Sequence, residues 1–159
     1  MNGQNLSAGT TCERLRRVLR EDRSAWKHAV WIGDLAEQAD APALVRERER
    51  LQHFLEHHLE PHFAKEEQEI FPMLAERGFV RQVEEAIRQH AELRRLRARL
   101  AEVSSGDEGG MRAAFDEIAR QLRAHVRYES SFVYDDLKLA EVEEYQEDIS
   151  MLLAEVAGG

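Results

Sequence analysis

The sequence predicts an all-α protein, arranged as an antiparallel up-down-up-down four-helix bundle with an additional C-terminal helix. Three observations carry this. Among 159 residues there are only three prolines and nine glycines, and Ala, Leu, Glu and Arg, all strong helix formers, are abundant. No stretch alternates apolar and polar residues with the β-branched enrichment of a strand. Four long segments carry apolar residues at helical spacing and are separated by short breaks, and short connections between long helices make antiparallel neighbours.

The first helix is expected from about Thr11 to Ala39, with Leu15, Val18, Leu19, Ala25, Trp26, Ala29, Ile32 and Ala36 on one stripe, and Asp40-Ala41-Pro42 ends it. The second is expected from about Ala43 to Arg77, on Leu44, Leu51, Phe54, Leu55 and Leu59, with Gly78 as a left-handed stop. Pro61 should kink it, and Phe71-Pro72 should loosen its last turns. The third, about Val80 to Val103, uses Val83, Ala86, Ile87, Leu93 and Leu100 and ends at the loop 104–110. The fourth begins near Met111 and runs through Phe115, Ile118, Leu122, Val126 and Val133 to about Leu137. A shorter helix, about Glu141 to Val156, should cover the bundle or meet a second copy of the chain in a homodimer. Residues 1–10 are thus expected to be a disordered N-terminus, 11–137 the bundle, and 138–159 the C-terminal helix and tail.

Composition narrows the function. The formal net charge is -9, which would repel nucleic acid and anionic membrane alike, so neither is an expected partner. The single cysteine, Cys12, forms no internal bridge, and the first thirty residues lack the long apolar run of a signal peptide or membrane span; a reducing, cytoplasmic setting is the expectation.

Chemistry enters through two matching helical motifs, His62-x-x-x-Glu66 and His125-x-x-x-Glu129, with His90 between them on the third helix. Residues four apart on a helix lie one turn above each other, so each motif aims an imidazole and a carboxylate at one place. At about 100° per residue His58, His62 and Glu66 fall within the apolar stripe of their helix, whereas His53 and His57 fall outside it. His90 shares a face with Val83, Ala86, Ile87 and Leu93; His125 and Glu129 share theirs with Ile118, Leu122 and Phe132. Residues equidistant from a turn lie side by side in an antiparallel pair, which brings positions 62, 66, 90, 125 and 129 to one height. A carboxylate in a dry core costs several kcal/mol or more unless a cation or donor meets it. Two carboxylates with imidazoles from facing helices suit a pair of irons, and manganese or a dinuclear zinc site would satisfy much the same ligands. Glu67, Lys65 and the charges 46–50 are read as an exposed, salt-bridged face.

The run His62-Phe63-Ala64-Lys65-Glu66-Glu67-Gln68-Glu69-Ile70-Phe71-Pro72-Met73-Leu74, together with His125-Val126-Arg127-Tyr128-Glu129 and His90 before Ala91-Glu92-Leu93, resembles the hemerythrin-like, or HHE cation-binding, family over roughly residues 12 to 137. The resemblance implies two irons joined by an oxo or hydroxo bridge, with Glu66 and Glu129 bridging and His62, His90 and His125 terminal. Oxygen-carrying hemerythrins place a second histidine four residues after the first on the third helix, where this chain has Arg94, and the carboxylate after His125 comes four rather than five residues later. Both departures point away from oxygen carriage and toward a centre that senses or reacts with oxygen, peroxide or nitric oxide, or handles iron. Peroxidase- or oxidase-like turnover is the enzymatic alternative, and a metal-free helical interaction domain the third. On the first helix, where the resemblance expects a histidine, the only one present is His28, on the flank of the stripe. Asp22 lies near the centre of the stripe, at the height of His58 and His62. Asp22 is therefore expected to point into the site, with His58 as the compensating nitrogen.

Overall fold

A computed structural model describes residues 8–134 and 152–158, and these are helical throughout apart from short connections, with no strand among them. α1 spans Ala8–Gln38. α2 runs as three α-helical stretches, Ala41–Phe54, Glu60–Lys65 and Phe71–Glu76, joined by two π-helical turns, Leu55–Leu59 and Glu66–Ile70. α3 spans Val80–Glu102 and α4 spans Glu108–Glu129, the latter continued by a third π turn, Ser130–Tyr134. Residues 152–158 form a further helical segment, α5. The expectations for residues 1–10 and for Glu141–Val156 lie largely outside the described residues.

Each break has a local cause. The Asp40 carboxylate accepts from the Ala43 amide at 2.9 Å and Pro42 occupies the first turn, so α2 starts where its first N–H groups are provided for. Gly78, at φ 98°, takes the left-handed conformation that stops it. Asp107 caps α4 by accepting from the Gly110 amide at 2.9 Å.

Pro61 and Pro72 do not break α2; each is the second residue after a π turn. A proline has no N–H to return and its ring crowds the carbonyl four residues back. In the wider turn the next free amides bond five residues back, Glu60 to the Leu55 carbonyl and Phe71 to that of Glu66. The buried side chains Leu51, Leu55, Leu59 and Phe63 recur every fourth residue. In a plain α-helix that spacing drifts by about 40° per step, and the wider turns absorb the drift.

The core runs along all of these elements and includes Val18, Leu19, Ile32, Leu44, Phe63, Phe71, Leu100, Phe115 and Leu122. α1 packs chiefly on α4, and α4 on α3. Ile87, expected on the inner face of α3, is 42% exposed; Val83, Ala86 and Leu93 form that face without it. Leu152 and Val156 of α5 are buried against this chain's own core, and Arg23 reaches Glu155 at 3.2 Å. Among the described residues no helix is long and apolar enough to cross a membrane.

Candidate metal centre

Six ionisable side chains meet in the core: Asp22 from α1, His62 and Glu66 from α2, His90 from α3, and His125 and Glu129 from α4, all 4% exposed or less. They form two groups, Glu66, His90, His125 and Glu129, and Asp22, His62, Glu66 and Glu129, and within each group one ligand atom per residue lies within 4.8 Å of the others. Glu66 and Glu129 belong to both.

Each histidine is held by the nitrogen that faces away from the cluster. His62 Nδ1 donates to Glu21 Oε2 at 2.7 Å, and His90 Nδ1 to Glu67 Oε1 at 2.7 Å. His125 Nδ1 donates to Gln89 Oε1 at 2.8 Å, and the Gln89 amide is fixed that way round because its nitrogen donates to Glu85. With Nδ1 committed, all three rings present Nε2 inward. His62 Nε2 stands 2.9 Å from Asp22 Oδ1 and 3.0 Å from Glu66 Oε1; His90 Nε2 stands 3.1 Å from Glu66 Oε2 and 3.1 Å from His125 Nε2, which itself faces Glu129 Oε1. Phe63 stacks on His90 at 3.7 Å and meets His125 edge-on, while Phe71 closes the other side, so the rings have little freedom to turn.

The arrangement calls for positive charge at its centre. The carboxylate oxygens of Glu66 and Glu129 are buried, and the inward imidazole nitrogens are the groups that face them, a state that costs several kcal/mol unless protons on those rings or a cation meet the charge. Without metal, protons answer the demand. Burial opposes a charge on His62, yet the carboxylates of Glu66, Asp22 and Glu21 outweigh it and raise its pKa well above the ordinary value. Burial opposes a charge on His90 too, and Glu129 and Glu66 overcome it, lifting its pKa to about 9. Burial, reinforced by Glu129, pushes Asp22 up to about 7. Burial alone would raise Glu129, but the adjoining His125 holds it well below the usual carboxylate range. Imidazoles that become neutral as their protons leave, converging with carboxylates around a buried pair of shared glutamates, are a donor set for divalent or trivalent metal ions.

The Hemerythrin HHE cation binding domain matches residues 12–134, more than three quarters of the chain. The chain belongs to the hemerythrin HHE family. No curated protein and no solved structure matches it. For a hemerythrin HHE domain the buried cluster is where metal binding is expected, and the side chains present fit it.

Of the residues singled out from the sequence, six stand together. Asp22 points into the cluster, whereas His28 turns away, donating from Nδ1 to the Ser24 carbonyl at 2.8 Å and stacking on Phe54 at 3.9 Å. His58 is a correction: it is exposed, and its ring lies near Phe54 and His53 rather than in the cluster. In the π turn Leu55–Leu59 the inward positions are taken by Leu55 and Leu59, and His58 is left on the outer side. Glu67 is a second correction. It is not a solvated charge but the half-buried anchor of His90, itself gripped by Arg94 Nη1 at 2.9 Å, while Arg94 Nε and Nη2 hold both oxygens of Glu60. Glu21 and Gln89 were not anticipated at all. All three anchors adjoin a cluster residue in sequence, Glu21 beside Asp22, Glu67 beside Glu66 and Gln89 beside His90. A polar residue on the flank of a buried stripe, next to a buried ligand, was the available signal.

Proposed function

We propose that this protein is a hemerythrin-like, non-haem metal protein whose four helices run up and down around a pair of irons, and that the centre senses or reacts with oxygen, peroxide or nitric oxide, or handles iron, in a reducing, cytoplasmic setting. The observation that supports two ions rather than one is that Glu66 and Glu129 belong to both ligand groups, as carboxylates spanning two positions do. Glu66, His90, His125 and Glu129 would hold one ion; Asp22, His62 and the same two glutamates the other. Bound there, such ions would supply one-electron chemistry and open positions for a small ligand. The protein's own part is to fix the rings through Glu21, Glu67 and Gln89 and to exclude water with Phe63 and Phe71. Arg94, engaged with two carboxylates, offers the neighbouring iron no nitrogen, which supports reaction or sensing over reversible oxygen carriage.

A cleft of about 260 Å³ lined by Glu21, His57, His58, His62 and Lys65 opens beside the cluster, and it favours turnover of a small substrate such as peroxide as the second reading. The deciding experiment is metal quantification with an optical spectrum on protein expressed in iron-supplemented medium: up to two irons per chain with near-ultraviolet charge-transfer absorption are expected. Absence of any transition metal after anaerobic loading would overturn the reading, and peroxide consumption by the loaded protein would separate an enzyme from a sensor.

A further inference from the structure

The histidines that the cluster does not use are not scattered. His53 and His57 are exposed neighbours on α2, four residues apart, with ring centroids 4.5 Å apart, and His58 adjoins His53 at 5.8 Å. Two imidazoles chelating one ion at a metal–nitrogen distance of about 2.0–2.1 Å, with an angle near 90–110°, have ring centres roughly 4.5–5.2 Å apart. The His53–His57 pair already meets that requirement, and the Glu56 carboxylate, 3.9 Å from His57 Nε2, supplies a nearby anionic oxygen. Neither ring is anchored as the three buried histidines are, so both are free to turn a nitrogen to an incoming ion.

Their position matters as much as their spacing. Two adjoining clefts share Phe54 and His58: one is lined by His28, His53 and Trp31, the other by His57, His58, Glu21 and His62. The second therefore runs from the exposed pair to the edge of the buried cluster. Arg17 and Lys65, which would repel a cation along it, both lie against Glu21, at 3.4 and 3.7 Å.

We propose that His53 and His57 form a surface site for a divalent first-row transition metal ion, and that ions captured there pass by His58 along the cleft to His62 and load the buried centre. The proposal rests on the reading of that cluster as a metal centre, and the test has two arms that keep the two apart. In the first, the iron-loaded full chain is titrated with Ni²⁺, which imidazoles bind more tightly than Fe²⁺. One Ni²⁺ per chain is expected, weakened by about tenfold or more in His57→Ala and in the His53→Ala/His57→Ala pair. In the second, metal-free protein is mixed anaerobically with Fe²⁺, quenched with chelator at intervals, and the retained iron counted. The paired variant should load about tenfold more slowly yet reach the wild-type content and melt at the wild-type temperature. Equal Ni²⁺ isotherms, or equal loading rates, would overturn the proposal. If no chain retained iron, the reading of the core would fail by itself, while loss of Ni²⁺ binding in His57→Ala would still report the surface site.

Discussion

Because Glu66 lies in both ligand groups while His62 and His90 each lie in one, substitutions in the cluster should remove metal in steps. Glu66→Gln keeps the shape of the side chain but removes the charge that both proposed ions would share. Asp22, Glu66 and Glu129 bring three carboxylates within 4.8 Å, so each pair repels by about 3.5 kcal/mol or more at an effective dielectric constant near 20. In metal-free protein, protons on His62, His90 and, in part, Asp22 offset that repulsion at neutral pH, and bound ions would replace them. Metal held a thousandfold above its dissociation constant stabilises the folded chain by about 4 kcal/mol, which for a domain of this size is roughly 8–16 °C in melting temperature. The assay is metal content after a brief chelator wash, with melting curves recorded with and without Fe²⁺. Wild type should hold two ions and show the full metal-dependent rise. His62→Ala should keep the ion of the His90–His125 group, His90→Ala that of the Asp22–His62 group, and Glu66→Gln neither, with no metal-dependent rise. Wild-type content in Glu66→Gln, or total loss in His62→Ala, would refute the two-group arrangement.

Proton balance gives a second prediction. In metal-free protein the raised pKa values of His90, about 9, and Asp22, about 7, both mean tighter proton binding in the folded than in the unfolded chain. Each contribution is complete below the unfolded value and is lost as pH rises through the folded one, so metal-free protein should lose the Asp22 contribution between about pH 4 and 7 and the His90 contribution between about pH 6.5 and 9. Metal-loaded protein should not, and calorimetry at pH 7 in buffers of different ionisation heat should show about two protons released per chain on loading. On α1, Asp22→Asn should cost one ion by the same metal analysis, while His28→Ala should leave the content unchanged. Arg94→Gln, which frees Glu67 and through it His90, should weaken metal retention by about 10–100-fold in chelator competition without changing the stoichiometry.

The helical class and the convergence of six of the seven proposed site residues were legible because both follow from one periodicity. An apolar stripe shows which face is inside, and equal distance from a turn shows which residues meet. That argument placed Asp22 inward and His28 aside from the stripe Leu15, Val18, Leu19, Trp26, Ala29 and Ile32 together with their heights from the turn, in line with the family resemblance. It failed at His58, where the period itself changes: a fixed 100° per residue does not hold through Leu55–Leu59, and a Pro61 that signalled a kink instead follows a wider turn. It missed Glu21, Glu67 and Gln89 for a different reason. Their side chains are half exposed, so binary patterning classes them with the surface, and only the direction of each imidazole's outer nitrogen shows that they hold the site.

The π turns separate what the scaffold needs from what the site needs. Such a turn is a helix carrying one residue more than its length requires, and the surplus is taken up locally. Removal of Gln68, an exposed residue inside Glu66–Ile70, would let that stretch close as an ordinary α-helix with the apolar faces on either side still in phase. Such a chain would fold, yet Glu66 and Glu67, at the mouth of that turn, would no longer reach the cluster and His90 Nδ1 together. Replacement of the same Gln68 by another surface residue should pass almost unnoticed. For this stretch of α2, residue count is therefore under tighter physical constraint than residue identity.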